Sequence, residues 1–253
     1  MTALNKRSWA GARRWNSQHG FTMLEFLIAI IIILLLVTAS VAMISRVEVY
    51  ANVAQAKTEI IQISMAIEME KYDTGFYTLS LADLKSPSAP AGITDRTWKG
   101  PYLKGGGSLD PWNNNYLLAL NFSIPSGTTS ASYTINFIEN TGTDSMKIEA
   151  ENSKQITGGT VTLNGNVVAT LNTSTLPVEF TITTVTLPAD NNLQISLNGD
   201  SDAGVTVVIP GLIAHANNKN PYLIISRGAD RLPGGTGFNA DIIWRSDYSG
   251  FQN

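Results

Sequence analysis

A run of 19 apolar or small residues constrains this 253-residue chain more than any other feature of its sequence. The run extends from Phe26 to Ile44, and its only polar side chains are the hydroxyls of Thr38 and Ser40. As an α-helix it rises roughly 28 Å at about 1.5 Å per residue, close to the ~30 Å thickness of a bilayer's hydrocarbon core. The sequence therefore predicts one membrane-spanning helix near the N-terminus.

The charges on the two sides of this run differ in sign. Residues 1–20 contain no acid and four basic residues, Lys6, Arg7, Arg13 and Arg14. The rest of the chain has 13 basic and 20 acidic residues, and the formal charge of the whole chain is -3. Because basic flanks stay in the cytoplasm, we expect residues 1–20 there and the remainder exported. A net acidic chain also gives no sign of nucleic-acid binding.

The composition disfavours several kinds of catalytic or metal site. The chain has no cysteine and only two histidines, His19 and His215. Without cysteine there is no disulfide scaffold, thiolate zinc site or cysteine nucleophile, and two histidines make a histidine-rich centre improbable. Paired acids such as Asp200 and Asp202 are typical of a solvated turn. We therefore do not expect an enzyme.

A second, amphipathic pattern follows the apolar run. Apolar residues recur at spacings of four and three, which is typical of one helix face: Val49, Val53, Ala56, Ile60, Ile63 and Ile67. We expect Lys57, Glu59, Glu68 and Glu70 off that face. With no proline or glycine from Phe21 to Asp73, one helix of about 50 residues is predicted, with Gly75 as a left-handed cap. Ser80-Leu81-Ala82-Asp83 predicts a capping box that opens a short second helix. The alternative for the long stripe is a coiled coil, but it covers fewer than four heptads.

One acid stands at the edge of the predicted membrane segment, in the sequence Gly20-Phe21-Thr22-Met23-Leu24-Glu25. Such a residue usually has a partner or a function. These six residues resemble the type III leader of type IV pilins and type II secretion pseudopilins. The resemblance implies that a prepilin peptidase cuts after Gly20, that Phe21 is N-methylated, and that Glu25 pairs with the new amine of a neighbouring subunit. The alternative is a signal anchor whose Glu25 snorkels to the interface.

Residues 98–120 contain a second resemblance, in the letters GPYL and DPWNNNY. They are similar to the GPYL and DPWGNPY region of the major pseudopilins. Asn113 stands where glycine is usual and Asn115 where proline is usual. Asparagine tolerates a positive φ better than most residues, so we expect the turn to survive the first change.

A glycine-rich loop follows a predicted strand at Leu223–Ser226 and holds Asp230, Asn239 and Asp241. Carboxylates in such a loop suit calcium, which prefers oxygen ligands. The loop resembles the calcium loop of the same pseudopilins. The resemblance implies Asp230 and Asp241 as side-chain ligands, Asn239 as a helper, and backbone oxygens near Ile225 and Phe238. Arg231 stands where glycine is usual. The alternative is a polar turn without a metal, and no phosphate-binding signature is present.

Residues 122–218 have no counterpart in the typical family member. They are acidic, rich in Thr, Ser and Asn, and alternate in the manner of short strands, with Asn164-Gly165 as a hairpin signal. We predict a small inserted antiparallel sandwich. We expect this insert to decorate a filament surface or to contact another component. A third alternative is sugar recognition, for which the segment has few aromatic residues.

Together these features predict an α+β fold, in which a long N-terminal transmembrane-plus-amphipathic helix packs on a small antiparallel sheet with an inserted all-β segment. The predicted parts are a cytoplasmic leader (1–20), a transmembrane half-helix (21–45), a pseudopilin globular domain (46–121 and 219–253) and the insert (122–218).

The leading functional hypothesis is a pseudopilin that polymerises through its N-terminal helix into a periplasmic filament driving protein secretion. Its expected partners are itself, other pseudopilins, the prepilin peptidase, an inner-membrane assembly platform and secreted cargo. Its expected location is the inner membrane of a Gram-negative-type bacterium, with a single pass and a periplasmic C-terminal domain. Two alternatives are a type IV or minor pilin that adheres through the insert, and a membrane-anchored enzyme or sugar-binding protein.

Overall fold

A computed structural model of the chain describes residues 20–93, 97–105, 109–138, 145–174, 176–181, 190–209, 211–218, 222–247 and 250–251. Apart from Gly20, the predicted leader lies outside these residues. The chain divides into two compact units, Met1–Glu48 and Val49–Asn253.

A single helix, α1, extends over Met23–Thr74 and confirms the prediction of one helix of about 50 residues. Within the described residues, one stretch is long and apolar enough to cross a membrane, Met23–Ser40, and none of it is buried. The helix ends where predicted, because Gly75 adopts a φ of +78°. Its N–H donates to the carbonyl oxygen of Lys71 at 3.1 Å.

The second half of α1 buries the predicted stripe. Ala56, Ile60, Ile63 and Ile67 are all fully buried. Glu70 was expected off this face, and that prediction is wrong: its side chain is also fully buried. The physical reason is the helical repeat, since Glu70 follows Ile67 by three residues and so falls on the same face.

The remaining elements follow in chain order. Helix α2 covers Leu81–Lys85, and Ser80 caps it by accepting a hydrogen bond from the N–H of Asp83, as predicted. The strands are β1 (Phe76–Thr78), β2 (Leu117–Ser123), β3 (Ser130–Ile138), β4 (Ser145–Ala150), β5 (Ile156–Leu163), β6 (Asn166–Thr170), β7 (Val178–Thr181), β8 (Asp190–Gly199), β9 (Gly204–Val208), β10 (Ile213–His215), β11 (Tyr222–Ser226), β12 (Ile242–Arg245) and β13 (Gly250–Phe251).

These strands form two antiparallel sheets. The six-stranded sheet has the order β1-β10-β3-β8-β5-β6, and the seven-stranded sheet has the order β13-β12-β11-β2-β9-β4-β7. The predicted hairpin at Asn164-Gly165 joins β5 to β6, with φ values of 51° and 82° at its two residues. The α+β fold class and the β-rich character of residues 122–218 are confirmed.

The strands of residues 122–218 do not form sheets of their own, in contrast to the expectation of a separate sandwich. Strand β10 pairs with β1, and β9 pairs with β2, so each sheet combines strands from both parts of the chain. The physical reason is burial, because these strands share one hydrophobic core with Ile60, Tyr77 and Tyr222. The segment is therefore integrated into the Val49–Asn253 unit.

Two tyrosines fasten α1 to this core by hydrogen bonds. The hydroxyl of Tyr116 donates to Oε2 of Glu59 at 2.6 Å. The hydroxyl of Tyr222 donates to Oε1 of Glu68 at 2.9 Å. The Tyr222 ring also lies 5.6 Å from the ring of Tyr77, which joins β11 to β1 across the two sheets. The helix is thus held to the core by these hydrogen bonds along its polar edge as well as by its buried apolar face.

The buried Glu70 makes stability depend on pH. Burial raises the pKa of Glu70 from 4.5 to about 8, although the hydrogen bond from the Thr78 N–H opposes this shift. A carboxyl with a raised folded-state pKa contributes fully to stability below its unfolded pKa, and the contribution is lost as the pH rises through the folded pKa. Wild-type stability should therefore fall between pH 4.5 and 8 on account of this group.

Glu70→Gln, which keeps an oxygen for the Thr78 N–H, should match the wild type near pH 4.5. By pH 8 it should exceed the wild type in free energy of unfolding by about 4 kcal/mol. Denaturant unfolding of the full chain in detergent across this pH range measures the difference. Glu179→Gln, at an exposed position, is the control, and a pH-independent offset for Glu70→Gln would contradict the assignment.

Candidate functional sites at the helix start and the C-terminal loop

Helix α1 begins with a reciprocal capping box that the sequence analysis missed. The N–H of Glu25 donates to Oγ1 of Thr22 at 3.2 Å. The N–H of Thr22 donates in return to Oε2 of Glu25 at 3.1 Å. A threonine followed three residues later by a glutamate is the sequence signature of this motif, so the signal was present. Glu25 thus stabilises the start of its own helix.

The side chains around this helix start are exposed. Phe21 and Leu24 are 84% and 69% exposed. So large a contiguous apolar surface marks a site of membrane or protein contact. When a membrane or another protein covers this surface, the Glu25 carboxylate therefore lies in apolar surroundings.

In the Val49–Asn253 unit, a buried carboxylate organises the turn of the DPWNNNY motif. Asp110 is 4% exposed. Its Oδ1 accepts hydrogen bonds from the N–H groups of Trp112 at 3.0 Å and of Asn114 at 2.8 Å. Asn113 adopts a φ of 65°, which explains how asparagine fills a position where glycine is usual.

The same carboxylate connects this turn to the C-terminal loop. The hydroxyl of Ser226, the last residue of β11, donates to Oδ2 of Asp110 at 2.6 Å. The side-chain amide of Asn114 donates to the carbonyl oxygen of Gly228 at 2.8 Å. The two segments that resemble pseudopilins, far apart in sequence, are therefore adjacent in the fold.

The loop after β11 is a tight structure. The N–H of Asp241 donates to the carbonyl oxygen of Gly234 at 3.0 Å, which closes it. Gly235 has a φ of +83°, and a Cβ there would lie 2.1 Å from the carbonyl oxygen of Asn239. Arg231 also adopts a positive φ, 64°, a left-handed conformation that favours glycine. Residues Gly237–Asn239 form one turn of 3-10 helix.

Asp241 is a largely buried carboxylate in which one oxygen is paired and the other is not. Its side chain is 6% exposed, and Oδ2 accepts from Nη1 of Arg227 at 2.8 Å. The same oxygen accepts from the N–H of Gly234 at 3.0 Å. Its Oδ1 is buried and has no hydrogen-bond partner among the described residues. An unsatisfied buried carboxylate oxygen is costly, and a bound cation would satisfy it.

The other predicted calcium ligands lie in the same region. Asp230 is half-buried, and its Oδ1 accepts from the N–H of Leu232 at 3.1 Å. Asn239 is exposed, and Phe238 precedes it in the 3-10 turn. Ile225 is buried in β11 between β2 and β12.

Calcium requires a set of six to eight oxygen donors. The Oδ1 atom of Asp241 fits such an ion, and a cavity of about 230 Å³ adjoins this residue. No group of three or more His, Cys, Asp or Glu side chains that could hold a metal occurs within the described ranges. A calcium site here would therefore depend on Asp230, Asp241 and backbone oxygens.

Asp110→Ala should destabilise the full chain by about 2–4 kcal/mol, because it leaves two N–H groups and a buried hydroxyl unpaired. Asp110→Asn should recover part of the loss, since its amide can still accept from the turn and donate to Ser226. Denaturant unfolding measures both variants. Equal stability of Asp110→Ala and the wild type would show that this carboxylate does not hold the turn and loop together.

Two family models match parts of the chain. A family model described as Type II secretion system (T2SS), protein G matches residues 43–156. A model of the prokaryotic N-terminal methylation motif matches residues 15–41, which include Glu25 and its Thr22 cap. The first match extends beyond the predicted boundary at residue 121 and ends before the C-terminal loop, so the calcium prediction rests on the loop itself.

A curated relative is also similar over much of its length. The chain is 30% identical over 110 residues to the type II secretion system core protein G of Escherichia coli (strain K12), which covers 42% of this chain and 74% of that protein. No solved structure matches the chain. On these similarities, and on the capped apolar helix that carries the methylation motif, the chain belongs to the type II secretion system protein G family of pseudopilins.

Proposed function

We propose that this chain is a structural subunit that assembles through helix α1 into a filament serving protein export by a type II secretion system. The family is a structural one, and it implies assembly with other pseudopilins. The observation that carries the proposal is the start of α1. There, Glu25 takes part in the helix cap and lies at the start of an exposed apolar segment of membrane-spanning length, inside the matched methylation motif.

The proposed assembly step pairs two charges. Cleavage after Gly20 gives Phe21 a cationic amine, and Glu25 of an adjacent copy neutralises it. Either charge alone in an apolar surrounding costs several kcal/mol, so the paired arrangement selects the neighbour with the correct stagger. The N–H and the hydroxyl of Thr22 both donate to Oε2 of Glu25. The second carboxylate oxygen, Oε1, can accept a hydrogen bond from the neighbour's amine.

The apolar helix and the family support a membrane-anchored protein. We infer that the globular unit faces the periplasm, because the four basic residues before Gly20 favour a cytoplasmic N-terminus. The prepilin peptidase, an assembly platform in the inner membrane and secreted cargo are the corresponding proposed partners. The comparisons do not favour the alternative of an adhesive type IV pilin.

We further propose that the C-terminal loop binds calcium. Asp241, through its buried Oδ1, and Asp230 would hold the ion, with Asn239 and backbone oxygens near Ile225 and Phe238 completing the ligand set. A calcium ion would add positive charge beside the Asp241 carboxylate and give its buried Oδ1 a partner. The supporting observation is the unsatisfied buried oxygen.

Glu25→Ala should abolish most filament formation, because the neighbour's amine loses its counter-charge, and it should also weaken the helix cap. Electron microscopy and pelleting of sheared filaments from cells expressing the variant measure assembly. Glu48→Ala, at an exposed acid of the same helix, is the matched control and should assemble normally. Wild-type filament yield from Glu25→Ala would refute the proposed pairing.

Asp241→Asn should lower calcium affinity at least tenfold, because it replaces the charged donor with a neutral amide. Calorimetric titration of the full chain in detergent measures the affinity. Asp247→Asn, at an exposed acid beyond the loop, is the control. Unchanged saturable binding in Asp241→Asn, or no binding by the wild type, would remove the proposed site.

A further inference from the structure

Arg227 bridges two carboxylates that belong to distant parts of the chain. Its Nη1 contacts Oδ2 of Asp241 at 2.8 Å, and its Nη2 contacts Oε2 of Glu149 at 2.6 Å. The three side chains are 13%, 6% and 12% exposed, in the order Arg227, Asp241, Glu149. The bridge is therefore largely shielded from water, unlike an ordinary surface ion pair.

The second carboxylate, Glu149, comes from the 122–218 segment. Glu149 lies on β4, and the sheet order places β2 and β9 between β4 and β11. Arg227 follows the last residue of β11 directly. The bridge thus connects the start of the C-terminal loop (Arg227), its end (Asp241) and a strand that is not adjacent to either.

The charges in this network alternate. The ammonium of Lys147 contacts Oε1 of Glu149 at 2.7 Å, so Lys147, Glu149, Arg227 and Asp241 form a chain of opposite charges that balances. A guanidinium is always protonated and can donate to two carboxylates at once, which a lysine cannot do with the same geometry. Arg227 therefore neutralises Asp241 and directs its Oδ2 towards the N–H of Gly234.

We propose that Arg227 is a built-in cation that holds the C-terminal loop closed in the absence of calcium, with Glu149 of the 122–218 segment as its counter-charge. In this arrangement the loop does not depend on an ion for its fold. A calcium ion bound at Oδ1 of Asp241 adds to a loop that is already fixed. The 122–218 segment then has a structural role within the globular unit, because it supplies one member of the bridge.

The test compares loop protection without calcium. Hydrogen exchange of peptides covering residues 228–241 and thermal unfolding are measured on the full chain in detergent with excess EGTA. The wild-type loop should remain protected. Arg227→Gln should exchange about tenfold faster in the loop, and its Tm should fall by roughly 10 °C, because Glu149 and Asp241 lose their shared partner. Arg231→Gln removes an exposed arginine of the same loop and should behave as the wild type.

Two further variants separate the bridge from a general loss of packing. Adding Glu149→Gln to Arg227→Gln should lower the Tm by less than the sum of the two single effects, because both substitutions break the same Arg227–Glu149 ion pair. Arg227→Lys should be intermediate and is the readout if Arg227→Gln does not fold. A wild-type loop that loses protection in EGTA would overturn the proposal, as would an Arg227→Gln loop that stays protected. Either result is independent of filament assembly and of the calcium affinity of Asp241.

Discussion

The burial of one face of helix α1 is the interaction on which the rest of the structure depends. Ile60, Ile63 and Ile67 are fully buried in the main core, and the hydroxyls of Tyr116 and Tyr222 hold the helix edge. Burying three isoleucines contributes several kcal/mol at about 25 cal/mol per Å² of apolar surface. In the first half of the same helix, the described stretch Met23–Ser40 is unburied. This exposed stretch is therefore suited to contacts with a membrane or with other filament subunits.

The globular unit fastens its chain end through charged and polar groups. Asp110 joins the DPWNNNY turn to Ser226, and Arg227 joins the next residues to Asp241 and Glu149. Consecutive residues of β11 and its loop are thus tied to three separate parts of the chain. This explains how a chain without cysteine fixes a long glycine-rich loop that a disulfide could otherwise hold.

Local patterns in the sequence were sufficient to predict the elements that local physics determines. The helical stripe, the Gly75 cap, the Ser80 cap of α2 and the Asn164-Gly165 hairpin all follow from residues within a few positions of one another. The prediction for Glu70 is wrong because it follows from the charge of glutamate and not from the position of residue 70 in the helical repeat. The raised pKa of Glu70 favours the neutral carboxyl, which can be buried.

Long-range features could not be predicted in the same way. Alternating Thr, Ser and Asn residues indicate strands but not their partners, so the mixing of β9 and β10 with the strands of the flanking segments was hidden. Arg227 and Glu149 are separated by 78 residues, and no spacing rule relates them. The Thr22 and Glu25 capping box, by contrast, follows from a local signature, a threonine and a glutamate three residues apart.

The central claim is that this is a processed pseudopilin whose mature chain begins at Phe21. Mass spectrometry of the N-terminal peptide, taken from the protein in its native membrane, tests that claim most directly. The account predicts a first residue of Phe21 carrying one methyl group on its amine. A peptide that begins at Met1, or one cut after the apolar segment, would contradict it.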